Sequence, residues 1–113
     1  QLGGYRKFGK KAAERDALLA DARALEAAGA FAIVGEMLDA ALAGDIAAAL
    51  AIPLIGIGCG APCDGQILVS NDLLGLTPGK APGFVKPLAD LKATAAEALR
   101  RYHEGVTERS YHT

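Results

Sequence analysis

Apolar residues recur at helical spacing between Ala12 and Ala28. Leu18, Ala22 and Leu25 fall at i, i+4 and i+7, while Glu14, Arg15, Asp21 and Arg23 occupy polar positions elsewhere on the helix. Gly29 follows where a helix C-terminus favours a residue without a Cβ. Phe31-Ala32-Ile33-Val34-Gly35 is then a short apolar run without alternation, bounded by Gly29 and Glu36. That pattern predicts a strand buried on both faces, as in a parallel sheet. Asp39 is placed to cap a second helix, Ala40 to Leu50, with Leu42, Ile46 and Ala49 on one stripe. Gly44 inside it costs about 1 kcal/mol relative to Ala. Pro53 ends the connection, and Leu54-Ile55-Gly56-Ile57 reads as a second buried strand. Strand, helix and strand in so short a span form a βαβ unit with parallel strands.

Gly58 to Gly65 (GCGAPCDG) is the densest turn region. Gln66 to Leu74 carries two patterns at once: Ile67-Leu68-Val69 suits a strand, and Ile67, Ser70 and Leu74 suit a short helix begun by Asp64. Leu76 to Gly83 is a loop, and Phe84-Val85-Lys86 reads as a short last strand. Leu91, Ala95, Ala98, Leu99 and Tyr102 mark an amphipathic helix from about Asp90 to Gly105, before a polar tail. The alternation of helix and strand places the chain in the α/β class.

Composition narrows the functional classes. The 113 residues include 14 Gly but no Trp, so the core is built of aliphatic side chains and joined by tight turns. A net charge of -1 gives no field to attract nucleic acid or an anionic membrane surface. Arg6, Lys7, Lys10 and Lys11 cluster near the start, but acidic residues follow at once, so the cluster reads as a solvated loop. No apolar stretch reaches membrane-spanning length, and no secretory h-region is visible. Two cysteines, Cys59 and Cys63, make no disulfide framework, which fits a reduced, cytoplasmic setting. The chain opens on Gln1 in a loop, as expected of part of a longer protein.

The residue type best placed for chemistry is Glu36, at the C-terminal end of the first strand, where parallel α/β folds gather catalytic side chains. A carboxylate set against Val34 and Met37 suits a general base; the plainer alternative is a solvent-facing Glu opening the next helix. Gly56-Ile57-Gly58-Cys59-Gly60 fails the dinucleotide fingerprint, because the third Gly comes one residue early and Pro62 intervenes before any helix. Cys59 and Cys63, with His103 and His112 far off, lack the paired short spacings of a zinc site and read as small buried side chains. Asp64 reads as a helix cap or turn former, Asn71-Asp72 as facing solvent or a cleft, and His103 as a surface residue.

Four segments taken together resemble one family. QLGGYR, LLADARALEAAGAFAIVGEM, IPLIGIGCGAPCDGQILV-x-x-D-x-x-G and P-x-FVK match, in order and spacing, the last part of ketopantoate hydroxymethyltransferases. The run GIG-x-G-x-x-x-DGQ-[IV]-LV is far more specific than any single glycine motif. The resemblance implies the C-terminal portion of a TIM (β/α)8 barrel, with Phe31–Gly35, Leu54–Ile57 and Phe84–Lys86 as its sixth, seventh and eighth strands and Gln66–Leu74 as a helix. Residues 1–113 would then be one segment of a single domain. Such barrels run to about 250 residues, so the N-terminal part lies outside this chain.

The reaction implied is transfer of a hydroxymethyl group from 5,10-methylenetetrahydrofolate to 3-methyl-2-oxobutanoate, giving 2-dehydropantoate for pantothenate synthesis. In the family the oxo acid chelates Mg²⁺, the C3 proton is removed, and the enolate attacks the one-carbon unit. The family's proton acceptor maps onto Glu36. The Mg²⁺ ligands and the groups that grip the oxo acid belong to earlier strands, so this chain alone is expected to be inactive. The family also implies a homo-oligomer. Departures from its pattern are Gly35 for a usual Leu, Cys59 for Ala, and Ser70-Asn71 for an apolar residue and a His. Phe8 for Gln, Gly83 for Lys and the tail ERSYHT add to these, and together they point to a divergent member. Two competing readings stand beside the enzyme: a non-catalytic remnant or assembly module, and a phosphoenolpyruvate/isocitrate-lyase-like barrel acting on another 2-oxo acid.

Overall fold

The computed structural model describes residues 6–113, so the first five residues of the loop expected over Gln1 to Lys11 lie outside it. The chain forms two compact units, one ending at Ile67 and the other spanning Leu68–Thr113.

The first unit runs α1 (Ala12–Ala27), β1 (Ile33–Glu36), α2 (Ala40–Ala49), β2 (Leu54–Ile57) and β3 (Gly65–Gln66). The α1 helix stops as its sequence dictates. Gly29 takes φ +97°, the Ala30 amide donates to Leu25 at 3.1 Å, and the Gly29 amide donates to Glu26 at 2.9 Å. These two bonds close a Schellman motif on the last free carbonyls. The Glu26 side chain then accepts from the amides of Ala51 (2.7 Å) and Ile52 (3.2 Å), tying the end of α1 to the connection before β2. Asp39 caps α2 as expected, accepting from the Ala41 amide at 3.2 Å.

The sheet order is β1-β2-β3, and both pairings are parallel. Ile33 pairs with Leu54 and Glu36 with Ile57, while Ile55 and Gly56 pair with Gly65 and Gln66. Residues in register share a face, so Ile33, Gly35, Leu54 and Gly56 look one way, and Val34, Glu36, Ile55, Ile57 and Gly65 the other. The first face is the covered one. Ala22 of α1 and Leu42, Ala43 and Ile46 of α2 pack there with Leu38, Leu54 and Cys59, and Leu18, Leu19 and Ile33 join the rim. Leu42 and Leu54 are fully buried, each worth about 1.5–3 kcal/mol of transfer free energy.

The second face corrects the expectation of strands buried on both sides. Val34 is 60% exposed and Phe31, outside the strand, 88% exposed. The helices α1 and α2 cover only the Leu54 face, and among the described residues β1 pairs with a strand on one edge alone. Leu25, expected on the buried stripe of α1, is half exposed, and Leu19 packs against the core instead.

In the second unit, α3 (Ser70–Leu73) and α4 (Leu91–Thr107) are the regular elements. The helix implied over Gln66–Leu74 is therefore shorter: Gln66 belongs to β3, and residues 67–69 are outside any helix or strand, Val69 being extended. The strand expected at Phe84–Lys86 is absent. The Val85 amide donates to Pro82 at 2.9 Å, closing a turn, and Pro87 removes the next ladder donor. Asp90 caps α4, accepting from the Ala93 amide at 3.1 Å. The first amides of α4 are held by the end of α3, with Leu91 donating to Leu74 (3.1 Å) and Lys92 to Gly75 (3.2 Å). Tyr102 meets Tyr111 edge-on, with ring centroids 5.1 Å apart. No residue of α4 is buried, so its apolar stripe is exposed along its length.

Candidate functional site

The carboxyl end of β1 delivers Glu36 to the open face of the sheet, beside its register partner Ile57. Among the described residues the Glu36 carboxylate has no hydrogen-bond or ion-pair partner, and the residue is exposed. It lines a cavity of about 350 Å³ together with Phe8, Leu18, Leu25, Ile33 and Val34. Ile33 and Val34 point to opposite faces, so the cavity follows the unpaired edge of β1.

The chain leaves Glu36 through a strained turn. Met37 sits at φ +55°, a left-handed conformation that costs an L-residue roughly 1–2 kcal/mol. The surroundings over-determine it. The Met37 amide donates to Ile57 at 2.9 Å, extending the β1–β2 ladder past Glu36. On the other side, the Phe8 amide donates to Met37 at 2.8 Å and the Asp39 amide to Phe8 at 2.7 Å, making a parallel bridge between Phe8 and Leu38. The Lys7 ammonium donates to the carbonyls of Leu38 and Gly58. Lys7 was read in the sequence as part of a solvated basic cluster. Its role as a staple between two loops carries no local signal, because its partners lie 31 and 51 residues away.

Gly58 (φ +66°) and Gly60 (φ +85°) turn the chain back after β2. Cys59 between them is 0% exposed, which bears out its reading as a buried small side chain. Its thiol does more than fill space. The Cys59 Sγ donates to the Gly35 carbonyl at 3.0 Å and accepts from the Leu38 amide at 3.3 Å. Gly35 is as tightly placed, since a Cβ there would lie 2.8 Å from Leu38 Cδ1. Cys63 lies close by, with its Sγ 2.6 Å from where a Cβ on Gly56 would stand. Burial, and then the neighbouring Cys59, push the Cys63 thiol up from its ordinary value.

The DGQ triplet holds backbone. Asp64 Oδ2 accepts from the Leu54 amide at 2.8 Å, and the Asp64 amide donates to the Leu54 carbonyl at 2.9 Å. The Gln66 side-chain amide donates to the Gly60 carbonyl at 2.8 Å. Asp64 is thus neither a helix cap nor an ordinary turn former; it pins the return of the chain to the start of β2. In the second unit Asp72 is buried and accepts from the Thr77 hydroxyl, while Asn71 and His103 are exposed. Among the described residues no three His, Cys, Asp or Glu side chains come together in a group suited to a metal ion. Nor is any helix among them long and apolar enough to cross a membrane.

Comparison with known proteins bears on the whole chain. The family model described as ketopantoate hydroxymethyltransferase matches residues 1–113. A 3-methyl-2-oxobutanoate hydroxymethyltransferase of Geotalea daltonii is 50% identical over 113 residues, covering 100% of this chain and 42% of the relative. Proteins of the same name from Geotalea uraniireducens and Gloeobacter violaceus are each 53% identical, over 90% and 94% of this chain and 38% and 40% of their own lengths. The chain therefore spans about two-fifths of the length of these curated relatives.

Proposed function

Because this chain belongs to the ketopantoate hydroxymethyltransferase family, we propose that it supplies the C-terminal strands of a (β/α)8-barrel enzyme with Glu36 as proton acceptor. The reaction proposed is hydroxymethyl transfer from 5,10-methylenetetrahydrofolate to 3-methyl-2-oxobutanoate, yielding 2-dehydropantoate. The observation that carries this reading is an exposed carboxylate, unpartnered among the described residues, at the C-terminal end of a parallel strand and on the face that no helix of its unit covers. In a barrel that face is the packed interior, and its C-terminal end, where Glu36 stands, is the mouth at which a substrate is held.

In this reading Glu36 takes the proton from C3 of the oxo acid, and the electron pair left on C3 attacks the one-carbon unit. The bonds around Met37 and Leu38 fix the main chain on the C-terminal side of Glu36, and the β1–β2 register fixes it on the other. The described residues assemble no magnesium site. The metal belonging to this reading would be held by residues outside this chain and would polarise the carbonyl of the oxo acid. The cytoplasm, small-molecule substrates and a homo-oligomeric assembly complete the proposal.

The test is exchange of the C3 proton of 3-methyl-2-oxobutanoate for deuterium, followed by proton NMR in the presence of Mg²⁺. The whole protein carrying this chain exchanges it and forms 2-dehydropantoate when the folate is added; residues 1–113 alone do neither. A whole protein that binds neither substrate nor exchanges the proton overturns the reading in favour of a non-catalytic member.

A further inference from the structure

We propose that Cys59 is a positioning residue for Glu36, its buried thiol clasping the two ends of the turn that presents the carboxylate. The inference rests on the proposed role of Glu36, and deepens it.

Glu36 and Met37 are bracketed by Gly35 and Leu38, and one sulfur touches both brackets. The S–H donates to the Gly35 carbonyl at 3.0 Å, and the same sulfur accepts from the Leu38 amide at 3.3 Å. A thiol has one weak donor and one weak acceptor, and here both are used. The Ile57 carbonyl, across the ladder from Glu36, lies 3.5 Å from the same sulfur. The sulfur thus sits under the turn, on the covered face of the sheet, while Glu36 projects from the other face.

In this chain the turn has use for such a clasp, since Gly35 stands where the family usually carries Leu and Cys59 where it usually carries Ala. Met37 is held in a left-handed conformation, and Gly35 contributes no side chain that would anchor the strand end by packing. The outer side of the turn is fastened independently by Phe8 and Lys7. Removing the thiol therefore leaves the turn folded and Gly35 in register with Gly56, but the Leu38 amide loses its acceptor and the inner side of the turn can shift, carrying Glu36 with it. Neighbouring amides have other acceptors, Met37 on Ile57 and Asp39 on Phe8. The Leu38 amide is the specific reporter.

The experiment compares the wild-type whole protein with Cys59→Ala and Cys59→Ser. Amide hydrogen exchange at Leu38 should quicken by about tenfold or more in Cys59→Ala, with α2 amides such as Ala43 unchanged. Cys59→Ser, whose hydroxyl supplies the same donor and acceptor, should restore protection. In turnover, Cys59→Ala should lose several-fold in kcat at unchanged KM for the oxo acid, and Cys59→Ser should recover most of it. Unchanged Leu38 exchange in Cys59→Ala overturns the clasp. Faster exchange with wild-type kcat overturns the positioning role. If the wild-type protein shows no turnover, the proposed function fails by itself. The clasp is then decided by Leu38 exchange and by the Glu36 carboxyl carbon chemical shift, which moves in Cys59→Ala only if the thiol positions Glu36. Should Cys59→Ala fail to fold, Cys59→Val, which keeps bulk but not the hydrogen bonds, takes its place in both measurements.

Discussion

Asp64 holds Leu54 by both of its main-chain groups: the carboxylate takes the Leu54 amide at 2.8 Å, and the Asp64 amide gives to the Leu54 carbonyl at 2.9 Å. This reciprocal pair starts β3 alongside β2 after a connection of only Gly58 to Asp64. Parallel strands ordinarily need a crossover of a dozen or more residues. Here the glycine turn and the Asp64 side chain replace it.

Asp64→Ala should destabilise the protein by about 1–3 kcal/mol, because the Leu54 amide loses a charged acceptor at the edge of the core. Urea unfolding gives the value, and Asp64→Asn should recover part of it through its side-chain oxygen.

Glu36→Gln should reduce turnover in the whole protein by about 10²–10⁴-fold if the carboxylate is the base, with little change in KM for the oxo acid. Glu36 is exposed and unpartnered among the described residues, so the unfolding free energy should stay within about 0.5 kcal/mol of wild type. Wild-type-like turnover would reject Glu36 as the proton acceptor.

Gly75→Ala should loosen the second unit. Gly75 has φ +68°, and a Cβ would come within 2.3 Å of the Ala89 carbonyl oxygen and 3.0 Å of Asp90 Cα. Both contacts are backbone and have little freedom to give way. The bonds from Leu91 to Leu74 and Lys92 to Gly75 should weaken together. A loss of about 2 kcal/mol or more is expected, read as faster amide exchange in the first turn of α4, with α2 unaffected.

On α4, Arg100 bonds both Glu97 and Glu104. The Arg100 hydrogen bond, the largest cause, holds the Glu97 carboxyl below its usual range. A depressed folded-state pKa gives stability that is present above the unfolded carboxylate value and lost as pH falls through the folded one. Helicity of α4 should therefore decline on acidification. Since the pair is fully exposed, added salt should blunt the effect. Arg100→Ala should remove the acid-dependent part, as followed by circular dichroism.

Much of the fold was readable because its signals are local. Gly29 ends α1, Asp39 caps α2, the apolar stripe from Leu91 to Tyr102 marks α4, and the apolar runs around Ile33 and Leu54 give β1 and β2. Phe84-Val85-Lys86 misled because two apolar residues between Pro82 and Pro87 suit a turn as well as a strand, and the Val85 bond to Pro82 decides it. Val34 misled for a different reason. An unbroken apolar run reports what a strand is built to contact, whereas this chain supplies a layer for one face only. The place of Glu36 at the C-terminal end of β1 was legible from the apolar run before it. Lys7 and Cys59 were not, because their bonds join loops that the sequence leaves far apart.

The Asp64–Leu54 pair also bears on the order in which the sheet assembles. Its partners are 10 residues apart, whereas Ile33 and Leu54, which open the β1–β2 register, are separated by about twice that span. Each doubling of a loop adds only about 0.6 kcal/mol to the entropy of closing it, yet the difference favours the shorter circuit. The glycine turn around Cys59, which brings β3 beside β2, is therefore less costly for the unfolded chain to close than the β1–β2 register. It would give β1 a ready-made edge to zip against, so substitutions at Asp64 should slow refolding more than equally destabilising ones at Ile33.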